Sequence, residues 1–247
     1  VVNWTNEEGT RFAPAMVASA VYAGVMSLAD AYAVRDAEGK TLGAELERIG
    51  FKGEEKVGAR KAHAYFELHI EQGPILEAEG IDIGVVTHGQ GTRWLEVTLT
   101  GRDAHTGSTP MPRRLNAGLG AARIMELVDR IAWAHAPLAV GAVGHIDVYP
   151  NSRNIIAGKA VFTIDMRHPE LAVLNAMADE VSTGAAEIAA KMGLGIAIAE
   201  VNSFDPVAFD PSLVGRVRAA AQALGYSHRD IVSGAGHDAC WVNKVAP

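Results

Sequence analysis

The amino-acid sequence predicts an α/β protein, in which a split α/β domain (residues 1–86 and 206–247) carries an inserted βαββαβ domain (residues 87–205). Three observations support this class. The 247 residues suffice for one large domain or two moderate ones. Helical and strand patterns mix up to residue 86, and beyond it alternating strands are separated by long amphipathic helices. A glycine-rich loop near the end of the chain then indicates a return to the first domain.

The first segment is predicted to hold two helices and two strands. Residues 13–34 are Ala-rich with apolar residues at helical spacing, and residues 41–50 predict a shorter helix that Gly50 closes. Polar and apolar side chains alternate over residues 62–74, and Gly73-Pro74 ends the run, which predicts a strand. The other strand is the strand-like run at the start of the chain, and a helical turn over residues 75–80 should precede residues 81–89.

The inserted segment is predicted to contain four strands and two long helices. Their order is typical of a small antiparallel sheet covered by two helices. The strands are expected at residues 93–102, 139–150, 157–169 and 194–204, and the helices at residues 114–135 and 170–193. A further helix over residues 212–225 leads to the glycine-rich loop, which should itself open a helix.

Composition narrows the function classes. A formal net charge of −7 argues against a nucleic-acid surface, which needs a basic face. The single cysteine, Cys240, excludes an intrachain disulfide and fits a reducing compartment. No apolar run is long enough for a membrane span. We therefore expect a cytoplasmic protein with no nucleic-acid or membrane partner.

Two adjacent carboxylates, Glu7 and Glu8, follow a strand-like run and precede Gly9. Glu8 and His69, both expected at strand ends, are suitable ligands for a divalent metal such as zinc or manganese. Glu7 could then accept a proton from a metal-bound water. The alternative is that all three are ordinary polar residues at strand ends, and on spacing alone that interpretation is the commoner one.

Two further regions place polar side chains on loops or strand ends. His105 precedes a Thr-Gly-Ser-Thr-Pro turn and could donate a hydrogen bond to a developing oxyanion, or it could simply be a solvated loop residue. Asn154 and Arg167 lie at opposite ends of one predicted strand and its approach. An arginine fork binds a carboxylate through two hydrogen bonds, whereas a surface ion pair is the plainer interpretation.

The last candidate is the stretch SGAGHDA, in which His237 and Asp238 follow two glycines. Glycines allow the backbone to approach a ligand closely, and a loop that opens a helix offers N–H groups to an anion. The spacing is not that of a phosphate loop. Ser233 does not lie in a nucleophile elbow either, because the Gly-x-Ser-x-Gly pattern is missing.

Taken in order, the motifs EEGTRF, FELHIEQGPILE, GRDAHTGSTPM, NSRNIIAG, DMRHP and SGAGHDA resemble the hydantoinase/carbamoylase family of amidohydrolases, within the wider M20 metallopeptidase-like group. The group includes N-carbamoyl-L-amino-acid hydrolases, β-ureidopropionases and allantoate amidohydrolases. The resemblance runs over nearly the whole chain. It implies a homodimeric enzyme that uses two divalent metal ions (Zn, Mn, Co or Ni) to hydrolyse a linear amide, the carbamoyl group of an N-carbamoyl amino acid, and binds a substrate carboxylate.

The resemblance also implies roles for residues of the split domain. Glu7 matches the general base, Glu8 a ligand of one metal and His69 a ligand of the other. Gln72 matches a polar group near the substrate, and His237 a substrate-binding histidine of the catalytic domain. The split domain is then the catalytic domain.

The inserted domain is then a dimerisation domain that also acts as a lid, hinged near residues 87 and 205. His105 resembles the histidine that one subunit contributes to the active site of its partner. Asn154 and Arg167 resemble the clamp for the substrate carboxylate.

The chain departs from the family pattern at both ends. Family members carry a His and a metal-bridging Asp upstream of the Glu-Glu pair, and a His ligand further downstream, and none has a counterpart here. We therefore expect an internal segment of a longer enzyme that, alone, binds metal weakly and lacks activity. An M20 aminoacylase or dipeptidase, and a non-catalytic dimerisation or binding module that has lost its metals, remain the alternatives.

Overall fold

The computed structural model describes all residues, 1–247, and divides the chain into two compact units. Unit 1 consists of Val1–Gly89 and Val207–Pro247, and unit 2 consists of Gln90–Pro206. The fold is mixed α/β, as predicted. The boundaries between the units lie three residues and one residue after the positions that the sequence pattern suggests.

The first part of unit 1 is built from short helices and one strand: α1 (Val17–Tyr22), α2 (Leu28–Ala33), α3 (Leu42–Arg48), α4 (Ile75–Glu79) and β1 (Ile83–Gly89). A single helix over residues 13–34 was a wrong prediction. Gly24 adopts a φ of 73° after α1, and the Ser27 hydroxyl caps α2 by accepting from the Asp30 N–H. Thr41 caps α3 in the same way, and Gly50 with a φ of 71° follows its end as expected.

No strand forms over residues 62–74 or at the start of the chain, so these two predictions were wrong. The alternation holds only over residues 65–68: Phe66 and Leu68 are exposed, Leu68 by 99%, whereas Tyr65 and Glu67 are half-buried. His69 and Ile70 are both exposed. A strand also needs a neighbour whose backbone N–H and C=O groups it can pair with. Residues 62–74 have no such neighbour, and they run as an extended segment without a ladder.

Unit 2 contains four long strands and two long helices, in the order strand, helix, strand, strand, helix, strand. They are β2 (Gly91–Thr100), β3 (Ala104–His105), a 3₁₀ turn (Met111–Arg113), α5 (Ala117–Ala134), β4 (Val140–Tyr149), β5 (Ile155–Ile156), β6 (Lys159–His168), α6 (Leu171–Met192) and β7 (Gly195–Phe204). The short strands β3 and β5 pair with each other.

One apolar core holds unit 2 together. The long strands form an antiparallel sheet in the order β4-β6-β2-β7, with α5 and α6 packed on it. Alternate residues of β6 are buried, among them Phe162 and Ile164, and they meet Ile124 of α5 and Leu174 of α6. Side chains on one face repeat every 2 residues in a strand and every 3.6 residues in a helix. Because each of these elements buries one face, the spacing of its apolar residues predicts its position.

The chain then returns to unit 1 through β8 (Val207–Ala208), α7 (Pro211–Ala223), β9 (His228–Ser233) and α8 (Ala239–Val242). A three-stranded sheet has the order β8-β1-β9, in which β1 runs parallel to β9 and antiparallel to β8. The strand β9 was not predicted, and the helix after the glycine-rich loop is only four residues long. No helix in the described chain combines the length and apolar character that crossing a membrane requires.

The two links between the units leave from paired strands. Gly89 at the end of β1 pairs with Val207 at the start of β8, in unit 1. Thr92 near the start of β2 pairs with Phe204 at the end of β7, in unit 2. Each unit therefore presents its two connection points side by side.

Candidate active site

Six titratable residues that lie far apart in the sequence come together in unit 1. We call them the carboxylate–histidine cluster: Glu7, Glu8, Glu67, His69, His237 and Asp238. The sequence analysis selected four of them and assigned no role to Glu67 or Asp238. The cluster therefore extends the predicted site within the same region of the fold.

A tight turn presents Glu7 and Glu8. Asn6 and Gly9 both have positive φ, and a Cβ at Gly9 would lie 2.6 Å from the Ala15 backbone nitrogen, so only glycine fits there. The Met16 N–H donates to the Glu7 carbonyl at 2.7 Å, which closes the turn. The turn, and not the strand end that we expected, separates the two carboxylates.

The two carboxylates of this turn lie in different surroundings. Glu7 is half-buried and Glu8 is exposed. Burial raises the pKa of Glu7, the charges of Glu8 and Glu67 raise it further, and His69 opposes the rise. A carboxyl that holds a proton more readily than a free glutamate is suited to accept and return one.

His237 is the most buried imidazole of the cluster. The residue is 5% exposed, and its ring stacks on Phe209 at a centroid distance of 5.7 Å. The His69 ring lies 5.6 Å away at an angle of 49°. Burial lowers the pKa of His237, the Glu67 charge opposes this and His69 adds to it. The ring therefore favours the neutral form, which can both donate and accept a hydrogen bond.

Glu67 and Asp238 flank His237. The Glu67 Oε2 atom accepts a hydrogen bond from the Ala239 N–H at 2.8 Å and lies 4.0 Å from His237 Nδ1. Asp238 is 1% exposed, and its Oδ1 atom is buried without a hydrogen-bond partner. Burial raises the pKa of Asp238 to about 6, the Ser19 hydroxyl opposes the rise, and the charges of Glu67 and Glu7 add to it.

The cluster does not complete a metal site. His69 is exposed, and its Nδ1 lies 2.6 Å from the Ile70 carbonyl oxygen. No group of three or more His, Cys, Asp or Glu side chains in the described chain is arranged to hold a metal ion. A catalytic zinc site takes three protein ligands. Glu8 and His69 are at most two of the donors that a metal centre needs, so the residues of this chain do not fit a complete centre.

Gln72 lies after His69 at the end of the extended segment. It is exposed and has a φ of 50°, which is uncommon for a residue other than glycine. Such a backbone persists only where the surroundings hold it, and it is frequent at functional sites. Its role near a substrate stays a prediction.

In unit 2, His105 and Asn154 are neighbours. His105 pairs with Ile155 across β3 and β5, and the Thr106 N–H donates to the Asn154 carbonyl at 2.9 Å. The His105 Nδ1 accepts from the N–H groups of the two residues Gly107 and Ser108, at 3.1 and 3.2 Å. This hydrogen-bond pattern assigns the proton of the neutral ring to Nε2, which is free to donate.

Arg167 lies at the other end of β6 and is not close to Asn154. Lys159 and Arg167 are eight residues apart in this strand, which is about 26 Å at ~3.3 Å per residue, and Asn154 precedes the Lys159 end. The Arg167 guanidinium binds Asp165 through Nε and Nη2 at 2.7–3.2 Å. One chain therefore does not present Asn154 and Arg167 to the same carboxylate.

The fold agrees with the comparison to known families. The profile of peptidase family M20/M25/M40 matches residues 1–247, and the chain belongs to this family. Within it, the sequence is 62% identical over 247 residues to an N-carbamoyl-L-amino-acid amidohydrolase of Rhizobium meliloti, covering 100% of this chain and 59% of that protein. It is 35% identical to an allantoate amidohydrolase of Bacillus subtilis, covering 100% of this chain and 60% of that protein.

A solved structure gives the same result. A hydantoinase/carbamoylase family amidase from Burkholderia multivorans superimposes with a TM-score of 0.96 at 57% identity, covering 99% of this chain and 59% of that chain. The resemblance inferred from the ordered motifs is thereby confirmed. The chain spans about three fifths of the length of these relatives.

Proposed function

We propose that the complete protein hydrolyses the carbamoyl group of an N-carbamoyl amino acid. Water adds to the carbamoyl carbon, the bond to the amino-acid nitrogen breaks, and the carbamate that is released decomposes to carbon dioxide and ammonia. One observation carries the proposal: Glu7, His69 and His237, distant in the sequence, converge in one cluster of unit 1. The 62% identity to a relative named for this reaction supports the choice of substrate over allantoate, whose named relatives are 33% and 35% identical.

Glu7 is the proposed general base. Its half-buried carboxylate would accept a proton from the attacking water and return it to the leaving nitrogen. His237, stacked on Phe209, would contact the substrate, and His105 would donate a hydrogen bond from its Nε2–H group to the oxyanion.

The separation of Asn154 from Arg167 favours a shared site in a homodimer. We propose that Arg167 of one subunit and the pair His105–Asn154 of the other serve one substrate. The strands β4 and β7 are the edges of the unit 2 sheet, and an unpaired edge can pair with a second chain. Dimerisation through unit 2 would bring the two groups together.

Complementation tests the shared site. Asn154→Ala and Arg167→Ala should each inactivate the homodimer. A mixed dimer of the two variants should keep half of the activity, because one of its two sites is intact. Since random pairing makes about half of the dimers mixed, co-expression should restore about a quarter. If both residues came from the same subunit, mixed dimers would stay inactive. The matched control is a tagged protein that carries both Asn154→Ala and Arg167→Ala. Co-expressed with either single variant, it should restore no activity, because neither site of that mixed dimer is intact.

We propose that the complete protein uses divalent metal ions and that Glu8 and His69 are two of the ligands. The family relationship supports this, and a bound cation would polarise the scissile carbonyl. Because the 247-residue chain offers no third ligand in a suitable arrangement, we expect it to bind zinc or manganese weakly on its own. Calorimetric titration showing tight binding of two metal ions to this chain would contradict that expectation.

Activity of the complete protein is the direct test. We expect turnover of an N-carbamoyl α-amino acid to exceed that of N-carbamoyl-β-alanine and allantoate, with zinc, manganese or cobalt supplied. Glu7→Gln should lower kcat by about 10²–10⁴-fold, the usual contribution of a general base. Glu79→Gln, the same change at an exposed carboxylate paired with Arg229, is the control. If no linear amide is hydrolysed under any condition, the alternative of a non-catalytic binding module gains support.

A further inference from the structure

The extended segment of unit 1 has few attachments to the rest of the fold. It carries His69 and Gln72, yet no strand pairs with it. Its Tyr65 hydroxyl accepts from the Trp4 indole N–H at 2.9 Å, and its Tyr65 N–H donates to the Pro247 carbonyl at 2.9 Å. Beyond Tyr65, the side chains Phe66, Leu68 and Ile70 face solvent. Something other than a ladder must therefore fix the position of His69.

Glu67 supplies an attachment at the right place. Its carboxylate, on the half-buried face of the segment, accepts from the Ala239 N–H at 2.8 Å across 172 residues of sequence. Ala239 is the first residue of α8 and lies two residues after His237. The bond thus joins the segment with His69 to the loop with His237, within two residues of each histidine.

The same carboxylate also faces the His237 ring. Its Oε2 lies 4.0 Å from Nδ1, beyond hydrogen-bond distance, and Cys240 Sγ lies 3.8 Å from the same nitrogen. Phe209 covers a face of the ring. The ring therefore has an aromatic face on one side, and Glu67 and Cys240 lie at its Nδ1 edge.

The charge of Glu67 reaches most of the cluster. Burial is the largest influence on the pKa of each of five neighbours, and in all five the Glu67 charge pushes the pKa upward: Glu7, Tyr65, His237, Asp238 and Cys240. No other carboxylate of unit 1 acts on so many of these groups. Glu67 is therefore central to the cluster in position as well as in bonding.

We propose that Glu67 is a positioning residue of this site: its carboxylate fixes the extended segment to the start of α8 and so holds His237 opposite His69. The role rests on the proposed function, because it acts through the proposed substrate-binding histidine and metal ligand. Glu67 is not expected to touch the substrate. Its loss should therefore misplace His237 and weaken substrate binding more than it slows the chemical step.

Two substitutions at Glu67 and one matched control test the proposal in the complete protein. Glu67→Ala removes the acceptor and the charge, whereas Glu67→Gln keeps an oxygen that can accept from Ala239. Glu71→Ala is the control. Glu71 belongs to the same segment, and its carboxylate also accepts hydrogen bonds from the backbone, in this case from two N–H groups at the start of α4. All three proteins are compared for kcat, KM and thermal unfolding.

We expect Glu67→Ala to lower kcat/KM by about 10–100-fold, with most of the change in KM, since a misplacement of ~1 Å can cost about that much. Glu67→Gln should recover most of the loss. Glu71→Ala should stay within about twofold of the unchanged protein even if it lowers the unfolding temperature equally. Equal loss of activity in Glu71→Ala, or no recovery in Glu67→Gln, would overturn the proposal.

A second measurement does not depend on turnover. In protein labelled at its histidine rings, the His237 resonance should shift or broaden in Glu67→Ala and stay in place in Glu71→Ala, and amide exchange at Ala239 should accelerate only in the former. An unchanged His237 resonance in Glu67→Ala would reject the positioning role. If the unchanged protein hydrolyses no ureido compound, the proposed function fails, and these spectra still decide the positioning role.

Discussion

Unit 2 and unit 1 differ in the size of their apolar cores and in how their buried polar groups are paired. Unit 2 packs one apolar core between a sheet and two helices, with Phe162 fully buried. It also buries Arg93 and His168, and both have hydrogen-bond partners. Unit 1 has a small apolar core around α1 to α3, and it buries His237 and Asp238, of which the Asp238 Oδ1 atom has no partner. The unit that gathers the titratable residues is thus the one with less apolar packing.

The difference has a physical basis. Burying apolar surface stabilises a fold by about 25 cal/mol per Å². Leaving a buried polar group without a partner costs about 1–3 kcal/mol. Asp238, with an unpaired oxygen, lies on the costly side of this balance. Unit 1 therefore includes an unpaired buried oxygen in its polar cluster, whereas unit 2 carries His105, Asn154 and Arg167 on loops and strand ends around an apolar core.

The largest effect is expected in the core of unit 2. Phe162→Ala should reduce the free energy of unfolding of this unit by about 3–5 kcal/mol, because a large cavity opens between the sheet and the helices. Hydrogen exchange resolved by segment should show the loss across β2, β6 and both helices. A loss below about 1 kcal/mol would mean that the core of unit 2 is not the close-packed one described.

A smaller effect is expected in the core of unit 1. Leu42→Ala should cost about 2–3 kcal/mol, since Leu42 is buried in a cluster of few residues that can partly collapse. Ile49→Ala, half-exposed just after α3, is the control and should stay within about 0.5 kcal/mol. Amide hydrogen exchange in α1 to α3, recorded at increasing denaturant concentration, measures the loss of stability in both variants. If Leu42→Ala matched Phe162→Ala, the contrast between the units would disappear.

The third comparison concerns helix caps, whose loss lowers the free energy of unfolding by about 1 kcal/mol. Asn116 caps α5 of unit 2 through the Leu119 N–H, and Asp210 caps α7 of unit 1 through the N–H groups of the two residues Ser212 and Leu213. Replacing either cap by Ala should cost about 1 kcal/mol, with Asp210 the more costly because its charge also meets the positive helix end. Asn116→Ser and Asp210→Ser are conservative controls, and urea unfolding gives the values. If Asp210→Ala cost no more than Asn116→Ala, the charge of Asp210 would not contribute to the cap.

The smallest effect concerns pH. The hydrogen bond from Arg48 holds the pKa of Glu45 at about 2 against an ordinary value of 4.5, and Arg11 lowers it too. A depressed carboxyl pKa gives stability that is present above about pH 4.5 and is lost as the pH falls toward 2. Glu45→Gln should therefore flatten the decline of the urea midpoint of unit 1 between about pH 5 and 3, whereas Glu47→Gln on the same helix should not. An unchanged slope in Glu45→Gln would contradict the assignment.

The βαββαβ order of unit 2 could be predicted because the spacing of apolar residues within each element already identifies its buried face. Val97 and Leu99 alternate with polar residues, and Ile124 and Val128 repeat at helical spacing. The extended segment misled the prediction for the converse reason. Alternation specifies two faces, but it does not supply the neighbouring strand that a ladder needs.

The candidate site was only partly predictable. Glu7 and His237 stand in motifs that attract attention, whereas the contact of Glu67 with Ala239 spans 172 positions and carries no local signal. Asp238 was visible beside His237, but its burial was not. The distance between Asn154 and Arg167 follows from the strand register, which sequence alone does not give.

The side-by-side connection points of the two units make the molecule modular. The connection points of unit 1, Gly89 and Val207, lie on paired strands, so a link between them spans only the spacing between neighbouring strands, about 4.8 Å. A linker of a few residues could therefore replace the whole of Gln90–Pro206, and the excised piece would keep both ends free for a tag or a surface. Either unit could therefore be exchanged or studied apart without a change in the chain path of the other unit.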